Sequence, residues 1–461
     1  MSRPRLRPRR GSATGRERLA VAERGEEDGG RVCSSLMASP STSTPSSSTT
    51  TKPSIWQKML QPFNEDDGEV EGGVVWSEET DSLVLSSGNV GTDIDGRHWD
   101  ADSKYLDAEN SVISTAAFQD PSLSDVIPYM TARIFPSEAT YKFPVKLYKR
   151  YWLRLHFYPS AYGNFNPVDS YFSVLANGLT LLKNFSASIT CQARSQAYLV
   201  REYSLAPLES DILTVVFSPS DKHAGAFAFI NGIEVIRMPD LFDAATVVGS
   251  PEEFDVMNLT TETIYRLNVG GQTISPANDS GLSRAWYDDL PYIPYAALGV
   301  TTSASPEVKI EYQENVYRTG RSMGAVNSMT QSFNLTWEFK VDPKFMYLVR
   351  LHFCDYYNTE PNQQVFSIFI NNQTAEEMAD VIEWSGGTAV PTYKDYVTYV
   401  NDIGWGDDQT VPTLSVNLHP SDATRPQFLD ALLNGLEIFK LADSAGNLAA
   451  PNPHPSPMPV F

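Results

Sequence analysis

The sequence predicts an all-β chain of two tandem antiparallel β-sandwiches, and three observations carry that prediction. From about Asp81 onward, short runs rich in Val, Ile, Phe and Tyr alternate with breaks of Asn, Gly, Pro and Ser, the grammar of strands and turns. Six sequence blocks then occur twice in the same order. No amphipathic pattern longer than two helical turns interrupts them.

The repeat is read block by block. Arg97-His98-Trp99 returns as Arg284-Ala285-Trp286, and Tyr129-Met130-Thr131-Ala132-Arg133 as Tyr317-Arg318-Thr319-Gly320-Arg321. Leu153-Arg154-Leu155-His156-Phe157 returns as Val349-Arg350-Leu351-His352-Phe353. Phe172-Ser173-Val174 matches Phe366-Ser367-Ile368, and Leu213-Thr214-Val215 matches Leu414-Ser415-Val416. Asn231-Gly232-Ile233-Glu234 closes the series against Asn434-Gly435-Leu436-Glu437. Spacing between the copies grows along the chain, as longer loops in the second copy would produce. The resulting division is a leader 1–80, a first domain 81–241, a linker 242–261, a second domain 262–442 and a Pro-rich tail 443–461. Within the blocks the period is two, so Leu153, Leu155 and Phe157 share one face of a strand while Arg154 and His156 share the other. His156 and His352, repeated at equivalent positions, read as structural members of the sandwich. The Asn-Gly pairs at 231–232 and 434–435 read as tight turns with positive φ.

Charge is divided unevenly. With 35 basic and 56 acidic residues the net charge is −21. Residues 1–32 hold nine Arg against five acids, a local +4 that leaves −25 for the rest. Such a body excludes nucleic acid as partner, because phosphate demands a basic surface. Residues 34–54 are nearly all Ser, Thr and Pro, and the leader as a whole is expected to be disordered. It holds no apolar run of secretory-signal length, and no stretch of 18 apolar residues anywhere predicts a transmembrane helix. Three cysteines, Cys33, Cys191 and Cys354, are too few for a disulfide scaffold and read as free thiols.

Several longer motifs resemble the tandem malectin-like domains of Catharanthus-type plant receptor kinases, the Feronia group in particular, which implies jelly-roll-like sandwiches. They are Arg133 in its Tyr129–Arg133 block, Leu181-Leu182-Lys183-Asn184-Phe185-Ser186, Trp286-Tyr287-Asp288-Asp289, and the stretches 265–271, 348–354, 371–376 and 446–453. The resemblance spans about residues 81–455. It implies an extracellular or plasma-membrane module that binds basic rapid-alkalinisation peptides together with a lipid-anchored co-receptor, with cell-wall pectin as a further ligand. Two departures stand out: no kinase signature is present (no Gly-rich ATP loop, no His-Arg-Asp, no Asp-Phe-Gly), and Ser87 stands where the family usually has a cysteine. Alternatives are a lectin-like carbohydrate-binding protein, or a truncated receptor copy with no activity of its own.

Candidate sites follow from side-chain chemistry. Lys142, Lys146, Lys149 and Arg150, interleaved with aromatic residues including Trp152, form a basic stripe suited to an acidic polysaccharide. Trp286, Tyr287, Asp288, Asp289, Tyr292 and Tyr295 form an aromatic, acidic loop suited to a basic peptide. Asn184, Asn258, Asn278, Asn334 and Asn372 open glycosylation sequons. Gly320-Arg321-Ser322-Met323-Gly324 spells a nucleophile elbow but lacks its strand-turn-helix setting, so no catalytic residue is assigned. Asp93, Asp95, Asp100 and Asp102 break the calcium-loop spacing and read as a solvated turn, so neither metal nor cofactor is expected.

Overall fold

The computed structural model describes residues 82–279, 282–294, 299–310, 315–324, 333–401, 411–421 and 423–454. The leader and its expected disorder lie outside them, as do Cys33 and Tyr295. Among the described residues the regular structure is nearly all β-strand, as the alternating runs predict. The longest helix there, Ala187–Arg194, starts at Ser186, whose hydroxyl accepts the Ile189 N–H, and stops at Ser195 in the left-handed conformation.

One sheet of 13 strands runs through both copies. Its first-copy part includes Ser82–Ser86, Gly232–Met238, Arg150–Phe157 and Leu199–Ser204; its second-copy part continues with Thr261–Asn268, Gly435–Leu441, Phe345–Phe353 and Thr392–Val400. The copies join edge to edge where Glu202 pairs Thr263, Tyr203 pairs Glu262 and Ser204 pairs Thr261. This join satisfies two strand edges that separate sandwiches would leave open. Residues 242–261, between the copies, contribute the strands Ala244–Val247 and Glu253–Asp255 to the far end of the same sheet, beside Thr392–Val400.

Each copy packs a second sheet against one face of the shared one. In the first copy, Leu153, Leu155 and Phe157 meet Phe172, Val174, Val215 and Phe217 in a common core. In the second, Val349, Leu351 and Phe353 meet Phe366, Ile368, Leu414 and Val416. The other face is buried as well. There Trp152, Ile236 and Met238 of the first copy meet Leu348, Phe439 and Leu441 of the second in a third apolar cluster, closed by Leu241 and Phe242. Consequently all eight residues of Arg150–Phe157 are buried, charged ones included.

Neither Asn-Gly pair is a positive-φ turn. Each marks a corner at which the chain leaves one sheet and enters another, Ala228–Ile230 into Gly232–Met238 and Leu432–Leu433 into Gly435–Leu441. The asparagine side chain supplies the hydrogen bonds that the ladder loses there. Asn231 accepts the Tyr158 N–H (2.7 Å) and donates to the carbonyls of Tyr129 and Thr131; Asn434 accepts the Cys354 N–H and donates to the Thr319 carbonyl (both 2.8 Å). Glycine follows because a Cβ on Gly232 would lie 2.7 Å from Trp99 and Pro128, and one on Gly435 would lie 2.7 Å from Val316.

Past its last strand, the chain doubles back onto the first copy. Thr180 donates to the Gly446 carbonyl (3.0 Å) and accepts the Leu448 N–H (2.9 Å). Leu448 is fully buried in the first core, whereas Ala450 packs against the second. Asn452 then clamps the Asn184 carbonyl and the Ser186 N–H, each at 2.8 Å. Leu448→Ala should therefore destabilise the first copy, although it lies 210 residues beyond that copy's strand Gly232–Met238 (448 − 238), by about 2–5 kcal/mol. Urea unfolding read alongside hydrogen exchange of Leu179–Phe185 measures this; unchanged protection of that strand would show that the tail does not hold it.

Candidate recognition surfaces

On the polar side of the shared sheet, alternate residues of neighbouring strands place charges opposite one another. Arg154 donates to Glu202 (2.7 Å) and to Glu234 (3.1 Å). Glu202 in turn accepts from Arg266 of the second copy (2.8 Å), and Arg266 donates to Glu437 (2.6 Å). Each copy ends the line with the same relay: the Tyr129 hydroxyl bonds His156 Nδ1 (3.1 Å) and His156 Nε2 bonds Glu234 (2.8 Å), while Tyr317, His352 and Glu437 repeat it at 2.8 and 3.0 Å. Trp99 and Trp286 close these relays edge-on, 5.3 and 5.4 Å from the imidazoles. Burial alone would push the carboxyls up; the facing guanidiniums overcome it, holding Glu202 at about 2 and Glu234 and Glu437 well below the ordinary carboxylate range. Burial also pushes both imidazoles down, so they stand neutral, accepting from tyrosine and donating to glutamate. The histidines are structural, as their repetition predicts.

Two aspartates of the expected solvated turn are instead buried. Asp93 accepts from the Arg97 backbone (2.9 Å) and guanidinium (3.0 Å) and from the Trp99 indole (2.9 Å), and Asp279 does the same for Arg284 and Trp286 in the second copy. Asp102 accepts from Arg133 (2.8 Å), Tyr141 (2.7 Å) and Ser87 (3.1 Å). Asp289 is its counterpart, accepting from Arg321 (2.7 Å), Trp337 (2.9 Å) and Gly270 N–H (3.0 Å). The carboxylates fold the loops onto the sheet, because a buried acid needs several donors. Asp100 stays exposed and Asp95 is half-buried. Among the described residues no cluster of three or more metal-ligating side chains forms.

The aromatic loop is accordingly divided. Trp286 and Asp289 point inward, and Tyr292 is half-buried against Tyr265 and Phe339. Tyr287, with half its surface open, and the half-buried Asp288 remain for contact, joined by exposed Leu290. Desolvation, then nearby Tyr198 of the first copy, push the Tyr287 phenol up to about 12.

The basic stripe does not form on one strand. Lys142, on Ala139–Pro144, is exposed and pairs with Asp107 (2.8 Å); exposed Lys146 and half-buried Lys149 lie in the following turn. Arg150 and Trp152 start the next strand and are buried. Arg150 donates into the join between the copies, to carbonyls of Leu205 (3.0 Å), Met257 and Leu259 (3.2 Å), and burial lowers its pKa to about 10. The alternation rule failed here because both faces of that strand are covered.

Asn258, Asn278, Asn334 and Asn372 are exposed; Asn184 is half-buried and accepts from Ser220 (2.6 Å). Ser322 lies 6% exposed at the end of the strand Thr319–Ser322, not on an exposed turn. Beside it opens a cleft of about 630 Å³ that sequence reasoning missed, with exposed Tyr357 and Phe428, the amides of Asn358, Gln364 and Gln427, and Asp430. Burial raises the Asp430 carboxyl. No helix among the described residues is long and apolar enough to cross a membrane.

The malectin-like domain profile matches residues 86–441. Among similar chains are the receptor-like protein kinases ANXUR2 of Arabidopsis thaliana, 52% identical over 391 residues, and FERONIA of the same plant, 45% identical over 401. Each alignment covers 82% of this chain but only 45% and 44% of the relative, so the chain spans less than half the length of these kinases. The crystal structure of the ANXUR2 extracellular domain matches with a TM-score of 0.78 and 52% identity, over 81% of this chain and 100% of that one. A crystal structure of the plant peptide RALF23 in complex with FER and LLG2 matches at 0.74 and 43%, over 82% and 99%.

The ion line makes a pH-dependent prediction. Acidic groups with pKa held below 4.5, and imidazoles below 6.5, stabilise the fold above those values and lose that contribution as pH falls. Unfolding free energy should thus decline from about pH 6.5 and more steeply below 4.5. Arg266→Met should cost about 3–5 kcal/mol at pH 7 by stranding two buried carboxylates, and the deficit should shrink toward pH 3 as they protonate. Urea titrations of both proteins across this range decide it.

Proposed function

The chain belongs to the malectin-like family, among the ectodomains of FERONIA- and ANXUR-type receptor kinases, and on that premise we propose that it is an extracellular recognition module for a basic signalling peptide held together with a co-receptor. The observation that supports this reading most is the pairing of a −25 body with an exposed aromatic loop at Tyr287 that carries an acid, Asp288. Carboxylates steer a cationic peptide, and tyrosine supplies rigid contact area at small entropic cost. Four exposed sequons suit a chain that faces the cell wall, outside the plasma membrane.

A second reading, binding of a glycan, is favoured by the cleft at Tyr357 and Phe428. Ring faces stack on sugars, and the amides of Asn358, Gln364 and Gln427 match hydroxyl groups. Pectate on the Lys142–Arg150 segment is the weaker form of it, since Arg150 and Trp152 are enclosed.

Titration of the full chain with RALF23, alone and with LLG2, tests the first reading. Tighter binding in the presence of LLG2, weakening roughly tenfold between 50 and 500 mM salt, is expected; no binding of this or any other basic alkalinisation peptide sinks it. Oligosaccharide binding lost in Tyr357→Ala would establish the second.

A further inference from the structure

The strand Thr261–Asn268 is paired along one edge by Gly435–Leu441. Its other edge is shared: Leu199–Ser204 of the first copy occupies residues 261–263, and Tyr287–Asp288 of the second occupies residues 267–268. Val200 and Tyr287 thereby flank the join from its two sides, with Tyr198 of the first copy near Tyr287. The strip extends into the first copy, for the Ser124 hydroxyl reaches Tyr198 (3.5 Å), Tyr198 packs 4.5 Å from Tyr129, and Ile94 N–H bonds Asp125. Along it Ile94, Val126, Val200, Tyr287 and Leu290 are 78, 42, 38, 51 and 52% exposed. Exposed apolar side chains gathered near one join, on a chain of this charge, mark a contact surface.

Its border is acidic. Asp120, Asp125 and Asp288 are each fixed by a backbone N–H, of Ser122 (2.8 Å), Val126 and Leu290 (2.9 Å) respectively. No Lys or Arg pairs with any of them among the described residues, in contrast with the acids beneath, each matched to a guanidinium. Their charge is fixed in place and unneutralised.

We propose that this seam, built by both copies, docks an amphipathic basic peptide, whose apolar side lies on the Tyr198–Tyr287 strip and whose cations meet Asp120, Asp125 and Asp288. The site rests on the peptide reading above and adds a location that neither copy carries alone. The ion line below fixes the two halves of the seam relative to each other, so the surface is preformed.

The test is the same titration on three variants of the full chain. Tyr287→Ala and Val200→Lys alter exposed positions and should raise Kd at least about tenfold, with melting curves matching the wild type. Asp288→Asn should slow association a few-fold at low salt and not at high salt. Tyr357→Ala, in the glycan cleft, should leave Kd unchanged. Wild-type binding that survives Tyr287→Ala and Val200→Lys within twofold overturns the seam while leaving the peptide reading intact. A wild type that binds no peptide overturns both.

Discussion

Arg266 donates to one glutamate from each copy of the repeat, Glu202 at 2.8 Å and Glu437 at 2.6 Å, inside a sheet that water does not reach. A guanidinium is suited to that place because its planar fork serves two carboxylates at once and cannot give up its charge. Everything near the join is arranged around this constraint. The strands must keep register so that Arg154, Glu202, Arg266 and Glu437 alternate in sign, the tryptophan loops must cover the line, and the third apolar cluster must exclude solvent beside it. Buried charges are poor sources of net stability, but they are intolerant of mispairing. One residue of slippage between Leu199–Ser204 and Thr261–Asn268 would set Glu202 against the wrong neighbours, which makes the line a device for fixing how the two sandwiches join.

Much of this was legible in the sequence. The double repeat and the period-two blocks led to the all-β fold, and the paired histidines were recognised as structural. Glu234 and Glu437 stand at matching places in the repeated Asn-Gly blocks, so the acid partner of each histidine was in plain view. Glu202 and Arg266 were not, because neither lies in a repeated block: the mate of Glu202 is Asp395, which pairs with Arg350 as Glu202 pairs with Arg154, and the mate of Arg266 is Val84. Asp93, Asp102 and Arg150 were misread for one reason. Acidic or basic side chains in a loop usually face water, whereas here the second face of the sheet is covered and each charge finds its donors or carbonyls inside. The Tyr357–Phe428 cleft brings together segments about seventy residues apart, with no local pattern to announce it.

Residues that look like ligand contacts in sequence are thus divided into two populations. Trp99, Trp286, Asp102 and Asp289 are spent on folding loops onto the sheet. What remains outside is narrower and more informative: unneutralised acids beside aromatic rings at the seam, and amides beside aromatic rings in the cleft. On the two readings proposed above, the first chemistry would select cations and the second hydroxyls, so the two surfaces would not compete for the same class of partner.

The returning tail carries a mechanical consequence. Tension applied beyond Asn452 would not reach the last strand of the second copy first. It would load Asn452 on Asn184 and Ser186, then the two hydrogen bonds to Thr180 and the buried Leu448, all on the first copy. Load entering beyond Asn452 is therefore borne first by contacts on the first copy, while Ala450 between them rests on the second core.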